Sequence, residues 1–366
     1  MRRVPGIDMP ISAIGAGCWT IGGPATNGRI PIGWDDADPA AALDGLRCAY
    51  EHGVRLFDTA DVYGMGQSER LLGILLAEIS RHEAIVSSKV GYFAGRGTHP
   101  YDPAQMREQF HRSLERLGTD YLDIYFLHSS DFGPQDVRLA EAVQVISDLR
   151  RQGLIRAVGL RAPHDFAVEW ANQDLGKASR QAARFMHLFT AVQPDVLTVR
   201  HNLLSYEYAD DETDVFAFAR RRGVGVLTKQ ALAQGILLDT HDPDQPRSFS
   251  AYDHRSADPA FRQPLLRAVR DGLARARQSV NADPSLFVGA AIGYALQRAD
   301  AAVLVGFRNA AQIRASIEAA AQPIDAGDIQ LVHRSLRPAR AILHADLHAR
   351  RHAPADHPPI TLRRAP

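Results

Sequence analysis

The chain has 366 residues, 45% of them hydrophobic and 23% charged, enough for one large core, and its formal net charge is +0. A neutral balance carries no signal for nucleic acid or an anionic membrane as a partner. Two cysteines, Cys18 and Cys48, are too few for a disulfide framework or a cysteine-rich zinc site. With no apolar leader over 1–14 and no apolar span of about twenty residues, they point to a reducing, cytoplasmic setting.

In chain order, short apolar runs alternate with amphipathic stretches. The runs are 11–19, 55–59, 84–90, 122–128, 155–161, 196–202, 225–229 and 302–307. They are rich in Val, Ile, Leu and Phe and several are continuous, as parallel strands buried on both faces must be. Helical patterns fall at 39–52, 68–80, 102–117, 137–152, 211–222, 285–298 and 309–321. Asp102-Pro103 and Asp283-Pro284 read as helix starts. Gly53, Gly118, Gly153 and Gly223 follow helical patterns, where a left-handed residue ends a helix. Eight strand–helix alternations predict a single closed (β/α)8 TIM barrel. Long polar loops interrupt it at 22–38 and 233–258, and an extra arginine-rich helix is expected near 259–280. Residues 1–343 form the barrel domain in this reading. Residues 344–366, rich in His, Arg and Pro, form a short mobile tail. His344, His348 and His352 recur every fourth residue, but no acidic or thiol partner is near and no metal site is assigned.

Barrel enzymes carry catalytic groups at the C-terminal strand ends and in the loops that follow. The second strand runs into Asp58 and then Tyr63, the third ends at Lys89, and the fourth at His128. A carboxylate, a phenol, an amine and an imidazole thus meet at one rim. A phenol titrates near ~10. An adjacent ammonium favours the phenolate, a carboxylate keeps that lysine charged, and an imidazole can orient a substrate oxygen. Of 42 basic residues only Lys89, Lys177 and Lys229 are lysines, which singles them out for chemistry that a compact ammonium does and a guanidinium does not. Taken singly, Asp58 also reads as a helix cap, Tyr63 as cover for a core edge and His128 as a satisfied core histidine. Four such accidents on adjacent strand ends are hard to sustain.

Residues 57–69, FDTADVYGMGQSE, with Lys89 and His128 at the following strand ends, resemble the signature of the aldo-keto reductases. Residues 153–159 (GLIRAVG) and 303–312 (VLVGFRNAAQ) are similar to further motifs of that family, and the resemblance runs from Pro10 to Ala321. It implies NADP(H)-dependent interconversion of carbonyls and alcohols, with NAD(H) as the other coenzyme. Tyr63 would be the proton donor, Lys89 and Asp58 its tuners, and His128 the orienter of the carbonyl. It further implies a cofactor held along Gly17, Cys18, Arg161, Thr198, Lys229, Gly306, Phe307, Arg308, Asn309 and Gln312. Arg308 would pair with a 2′-phosphate. Trp19, Tyr92 and His201 would line the substrate pocket.

The sequence also departs from the family pattern. Where the family keeps Ser-Asn for the carboxamide, Arg161-Ala162 stand; Thr198 replaces a Gln, Lys229 an aromatic that stacks on nicotinamide, and Ala315-Ser316 a Glu-Asn pair. Two further readings therefore stand beside the reductase. One is a non-redox acid–base enzyme (elimination, isomerisation or epimerisation) on the same scaffold; the other is a non-catalytic regulatory module. The polar loops 91–101, 129–135 and 233–258 suit a small carbonyl or sugar-like substrate.

Overall fold

The computed structural model describes residue 7 and residues 10–351, apart from 36, 94, 246, 281–284, 299, 300 and 323. Eight parallel strands close into a barrel: β1 Ile14–Gly17, β2 Leu56–Asp58, β3 Ile85–Val90, β4 Leu122–Leu127, β5 Ile155–Arg161, β6 Val196–Arg200, β7 Gly225–Lys229 and β8 Ala301–Gly306. Each lies within a predicted apolar run or one residue outside it. Neighbours in sequence are neighbours in the sheet, and β1 closes the circle by pairing with both β2 and β8. Strands β3 and β4 are buried at every position, which explains their largely apolar or small-residue sequence; the two charged residues, Lys89 and Asp123, are each ion-paired.

Two cores result. The barrel interior is filled by Ile11, Leu56, Ile85, Ile124, Phe126, Val196, Leu227 and Leu304. Gly159 is required there, since a Cβ would stand 2.1 Å from the Phe126 ring that fills the space. The larger core lies between the strands and the surrounding helices.

Seven helices were predicted around the barrel, and all are present: α1 Pro39–Glu51, α2 Gln67–Glu78, α3 Pro103–Leu117, α4 Leu139–Arg151, α6 Val215–Arg221, α8 Ser285–Leu296 and α9 Ala310–Ala321. Asp102 caps α3 by accepting from the Ala104 amide at 3.1 Å, with Pro103 at the first helical position. The matching start at Asp283-Pro284 lies outside the described residues. Gly53, Gly118, Gly153 and Gly223 all take positive φ, 85°, 62°, 74° and 66°.

Three readings need correction. Helix α5, Lys177–Val192, was not predicted; its buried face is Ala182, Phe185, Leu188 and Val192, and polar residues break up the stripe in sequence. Loop 22–38 contains a short hairpin, Thr26–Asn27 with Ile30–Pro31. The chain after the barrel is also more ordered than a tail from 344 implies. Helices α10 Ala326–Ser335 and α11 Arg337–Leu343 pack on α7 Leu265–Val280 through Val332, Leu336 and Ala339. Helix α12, Ala345–Arg351, follows, with Leu347 buried. His344 is buried rather than mobile, its Nε2 2.9 Å from the Leu204 carbonyl. His352 and the rest of the predicted tail lie outside the described residues. No helix among the described residues is long and apolar enough to cross a membrane.

Candidate active site

Side chains two or four residues beyond an inward-facing strand residue also face inward. Leu56 is followed in this way by Asp58, Ile85 by Lys89, Ile124 by His128, Ala157 by Arg161 and Leu227 by Lys229. The C-terminal end of the barrel is therefore floored by polar groups standing directly on an apolar plug.

On the β2–β4 side these groups are paired. Lys89 Nζ donates to Asp58 Oδ2 at 2.8 Å and to the Thr59 carbonyl at 2.5 Å. Ser87, which sequence reasoning passed over, donates to Asp58 Oδ1 at 2.6 Å. Burial alone would push the Lys89 ammonium down, but the Asp58 carboxylate prevails and its pKa lies above the usual lysine value. Tyr63 sits in the turn after β2. That turn presses against the loop after β1 so closely that a Cβ on Gly64, φ 59°, would lie 1.8 Å from the Gly22 carbonyl oxygen. Lys89 Nζ is 4.7 Å from the centre of the Tyr63 ring. Asp61, in the same motif, is buried with neither carboxylate oxygen hydrogen-bonded; burial and then the neighbouring Glu69 charge push its pKa well up.

The phenol departs from the simple expectation. Desolvation outweighs the Lys89 charge and pushes the Tyr63 pKa up to about 12. Tyr63 as a whole is nonetheless only half-buried. His128 stands edge-on to Tyr63 with ring centres 6.0 Å apart, and its Nδ1 is buried without a partner. Burial, then the charges of Lys89, Lys229 and Arg161, hold its pKa well below the ordinary histidine value, so the imidazole is neutral.

The β5–β7 side is different. Arg161 donates to the Tyr92 hydroxyl at 2.7 Å and reaches His164 at 3.5 Å; Tyr92 in turn stands 4.7 Å from His128. Lys229 is half-buried, and burial followed by Arg161 and Lys89 pushes its pKa well down. Among the described residues neither Arg161 nor Lys229 has a carboxylate within ion-pair distance. Thr198 is buried beneath them, paired in register with Arg161.

The remaining predicted residues divide. Gly17 and Gly306 are paired across β1 and β8, and Gly306 is exposed, with the Thr20 side chain 3.0 Å from where its Cβ would stand. Arg308 is half-buried, its guanidinium 5.6 Å from the Trp34 ring. Asn309 caps α9 by accepting from the Gln312 amide at 3.0 Å, and Gln312 Oε1 accepts from the Arg308 amide at 2.9 Å. The Cys18 thiol and the Phe307 ring face the core, so only their backbones reach the rim. Trp19 stands 6.2 Å from Tyr63 and 4.9 Å from His254. Sequence reasoning did not single out Trp34 or His254, because nothing local marks two separate loops as meeting over the barrel. His201 is not at the Tyr63 centre: it is buried between Phe216 and Tyr294 and lines a separate cavity of about 230 Å³ with Arg200 and Arg298.

These residues fit a nicotinamide dinucleotide. The exposed backbone at Gly306 is open to a ligand, Arg308 beside the start of α9 suits a phosphate, and Arg161 offers a donor for a carboxamide oxygen. The groups that depart from the family pattern on the barrel rim, Arg161, Thr198 and Lys229, lie together on the neighbouring strands β5, β6 and β7.

The aldo/keto reductase family model matches residues 13–337. The NADH-specific methylglyoxal reductase of Escherichia coli (strain K12) is 29% identical over 255 residues, 66% of this chain and 70% of its own length. The D-threo-aldose 1-dehydrogenase of Pseudomonas sp is 27% identical over 307 residues, 77% of this chain and 84% of its own length. The solved glycerol dehydrogenase of Gluconobacter oxydans shares the fold with a TM-score of 0.68 and 23% identity, covering 92% of this chain and 95% of that one.

Proposed function

The chain belongs to the aldo/keto reductase family, oxidoreductases that act on carbonyl and alcohol groups with nicotinamide cofactors, and from that premise we propose that it is an NADP(H)-dependent carbonyl reductase in which Tyr63 moves the proton. The observation that carries this reading is the Asp58–Lys89 ion pair at 2.8 Å beneath Tyr63, with neutral His128 beside it.

A bound reduced nicotinamide supplies the hydride. Tyr63, protonated at neutral pH, gives its proton to the carbonyl oxygen, so that one C–O π bond becomes an alcohol. The Lys89 ammonium stabilises the phenolate left behind until water returns a proton. Asp58 and the Thr59 carbonyl fix that ammonium. His128 donates a hydrogen bond to the carbonyl oxygen and orients it. Trp19, Tyr92 and His254 wall the mouth against water. Arg308 is the reason for preferring NADP(H), since a 2′-phosphate beside it forms a charge-assisted pair. The relatives' names, a methylglyoxal reductase and an aldose dehydrogenase, support a small carbonyl or sugar-like substrate. Two buried, unpaired thiols support a cytoplasmic location.

The test is fluorescence titration with NADPH and NADH, followed by turnover of methylglyoxal and simple aldoses. Saturable binding with the tighter constant for NADPH, and consumption of cofactor by at least one carbonyl, is expected. Tighter NADH would remove Arg308 from the argument. Binding of neither would favour the second reading, acid–base chemistry without hydride transfer, for which Arg161 and Lys229 are the motivating residues. Because an acid must hold its proton, reduction should persist from neutrality up to pH near the Tyr63 value of about 12, while oxidation, which needs the phenolate, should rise with pH over that range. A reduction rate falling between pH 7 and 9 in stable protein would contradict this.

A further inference from the structure

We propose that Arg161 and Lys229 form an anion subsite beside the proton donor, so that the substrate is a carbonyl compound carrying a carboxylate or phosphate; the proposal rests on the carbonyl-reductase reading of the same site. The geometry behind it is an imbalance of charge. Asp58 is the inward carboxylate of the barrel end, and it is engaged by Lys89 and Ser87. Arg200, next on β6, lies 3.8 Å from Asp165. Arg161 and Lys229 occupy equivalent inward positions with no such partner among the described residues.

Neither is a solvated surface cation. Arg161 is anchored by the Tyr92 hydroxyl at 2.7 Å, which holds the guanidinium against the wall that also carries His128. Buried cations without counter-charge are costly, and the cost falls when an anion enters. Lys229 lies two residues beyond the inward Leu227 and pairs in register with Arg200, so its side chain enters the same end of the barrel as Arg161. A carbonyl held at Tyr63 and His128 therefore lies beside positive charge on its β5–β7 side. An anionic group there is bound by charge-assisted contacts that a neutral aldehyde lacks.

The experiment compares matched pairs with NADPH: 4-oxobutanoate against butanal for carboxylate, and glyceraldehyde 3-phosphate against glyceraldehyde for phosphate. In parallel, succinate and inorganic phosphate are titrated calorimetrically into the protein with and without NADPH. The anionic member of one pair should have kcat/KM higher by at least about tenfold, roughly one charge-assisted contact. Which pair shows it tells carboxylate from phosphate. Arg161→Met and Lys229→Met should each bring that ratio toward one, Arg161→Lys should restore part of it, and unchanged melting curves exclude unfolding. The matching anion should bind wild type in the presence of NADPH and fail to bind the Met variants. Turnover of both pairs without charge preference overturns the subsite. So does an anion that NADPH displaces, since the two cations would then serve the cofactor. If no aldehyde turns over, the reductase reading fails, and the titration alone decides the subsite: binding lost in the Met variants supports it, and no binding overturns it.

Discussion

The two halves of the barrel floor stand on the same apolar plug and at the same register, yet they solve the burial of charge differently. On the β2–β4 side Lys89 is matched by Asp58, Ser87 and the Thr59 carbonyl. On the β5–β7 side Arg161 rests on a neutral phenol, and Lys229 has no carboxylate within ion-pair distance among the described residues. A satisfied network is rigid in the empty protein and ready for proton transfer. An unsatisfied one stores a binding demand that a ligand must meet. In the function proposed above, the first half carries the chemistry and the second the recognition.

The largest expected effect breaks the first half. Tyr63→Phe should lower kcat by about 10²–10⁴ with little change in melting temperature; near-normal turnover in a steady-state assay would remove Tyr63 as the acid. Next, Lys89→Met strands the buried Asp58 carboxylate and should cost about 3–5 kcal/mol of stability in denaturant melts. Adding Asp58→Asn to it should return part of that loss, and a double variant no more stable than the single would deny that the pair is a unit.

The second half should respond with the opposite sign. Lys229→Met removes a cation that the fold disfavours, so the variant should be the more stable at neutral pH. The folded-state pKa lies below the unfolded value of 10.5, so the unfolded chain binds more protons between those values and wild-type stability rises with pH. The gap between variant and wild type should therefore close as pH approaches 10.5, read from thermal melts across pH; a gap that widens would show Lys229 to be paired. The smallest effect lies outside both halves. His201→Ala should lose about 0.5–1.5 kcal/mol from its stacking on Tyr294, leaving turnover unchanged; a large loss of kcat would return His201 to the substrate pocket.

Much of this was legible before any coordinates. The strands could be read because burial on both faces demands continuous apolar sequence, and the helix ends because only glycine takes the left-handed turn without strain. Asp58, Lys89 and His128 could be read because strand ends in a barrel converge whatever the loops do. Helix α5 escaped because Lys177–Val192 meets the core along a stripe diluted by arginine and glutamine. His201 was misplaced because the alternation on β6, with Val196 inward, turns residue 201 away from the barrel interior, and it packs between Phe216 and Tyr294.

The barrel, the candidate residues at its strand ends and the three lysines among many arginines could be read from local pattern and residue chemistry alone. Only the tertiary structure decided which charges are partnered, because pairing joins residues distant in the chain: Lys89 to Asp58, Arg161 to Tyr92, Trp19 to His254. It also decided the state of Tyr63. The sequence supplied the ammonium that lowers its pKa, but the packing around the hydroxyl supplied a larger desolvation in the other direction.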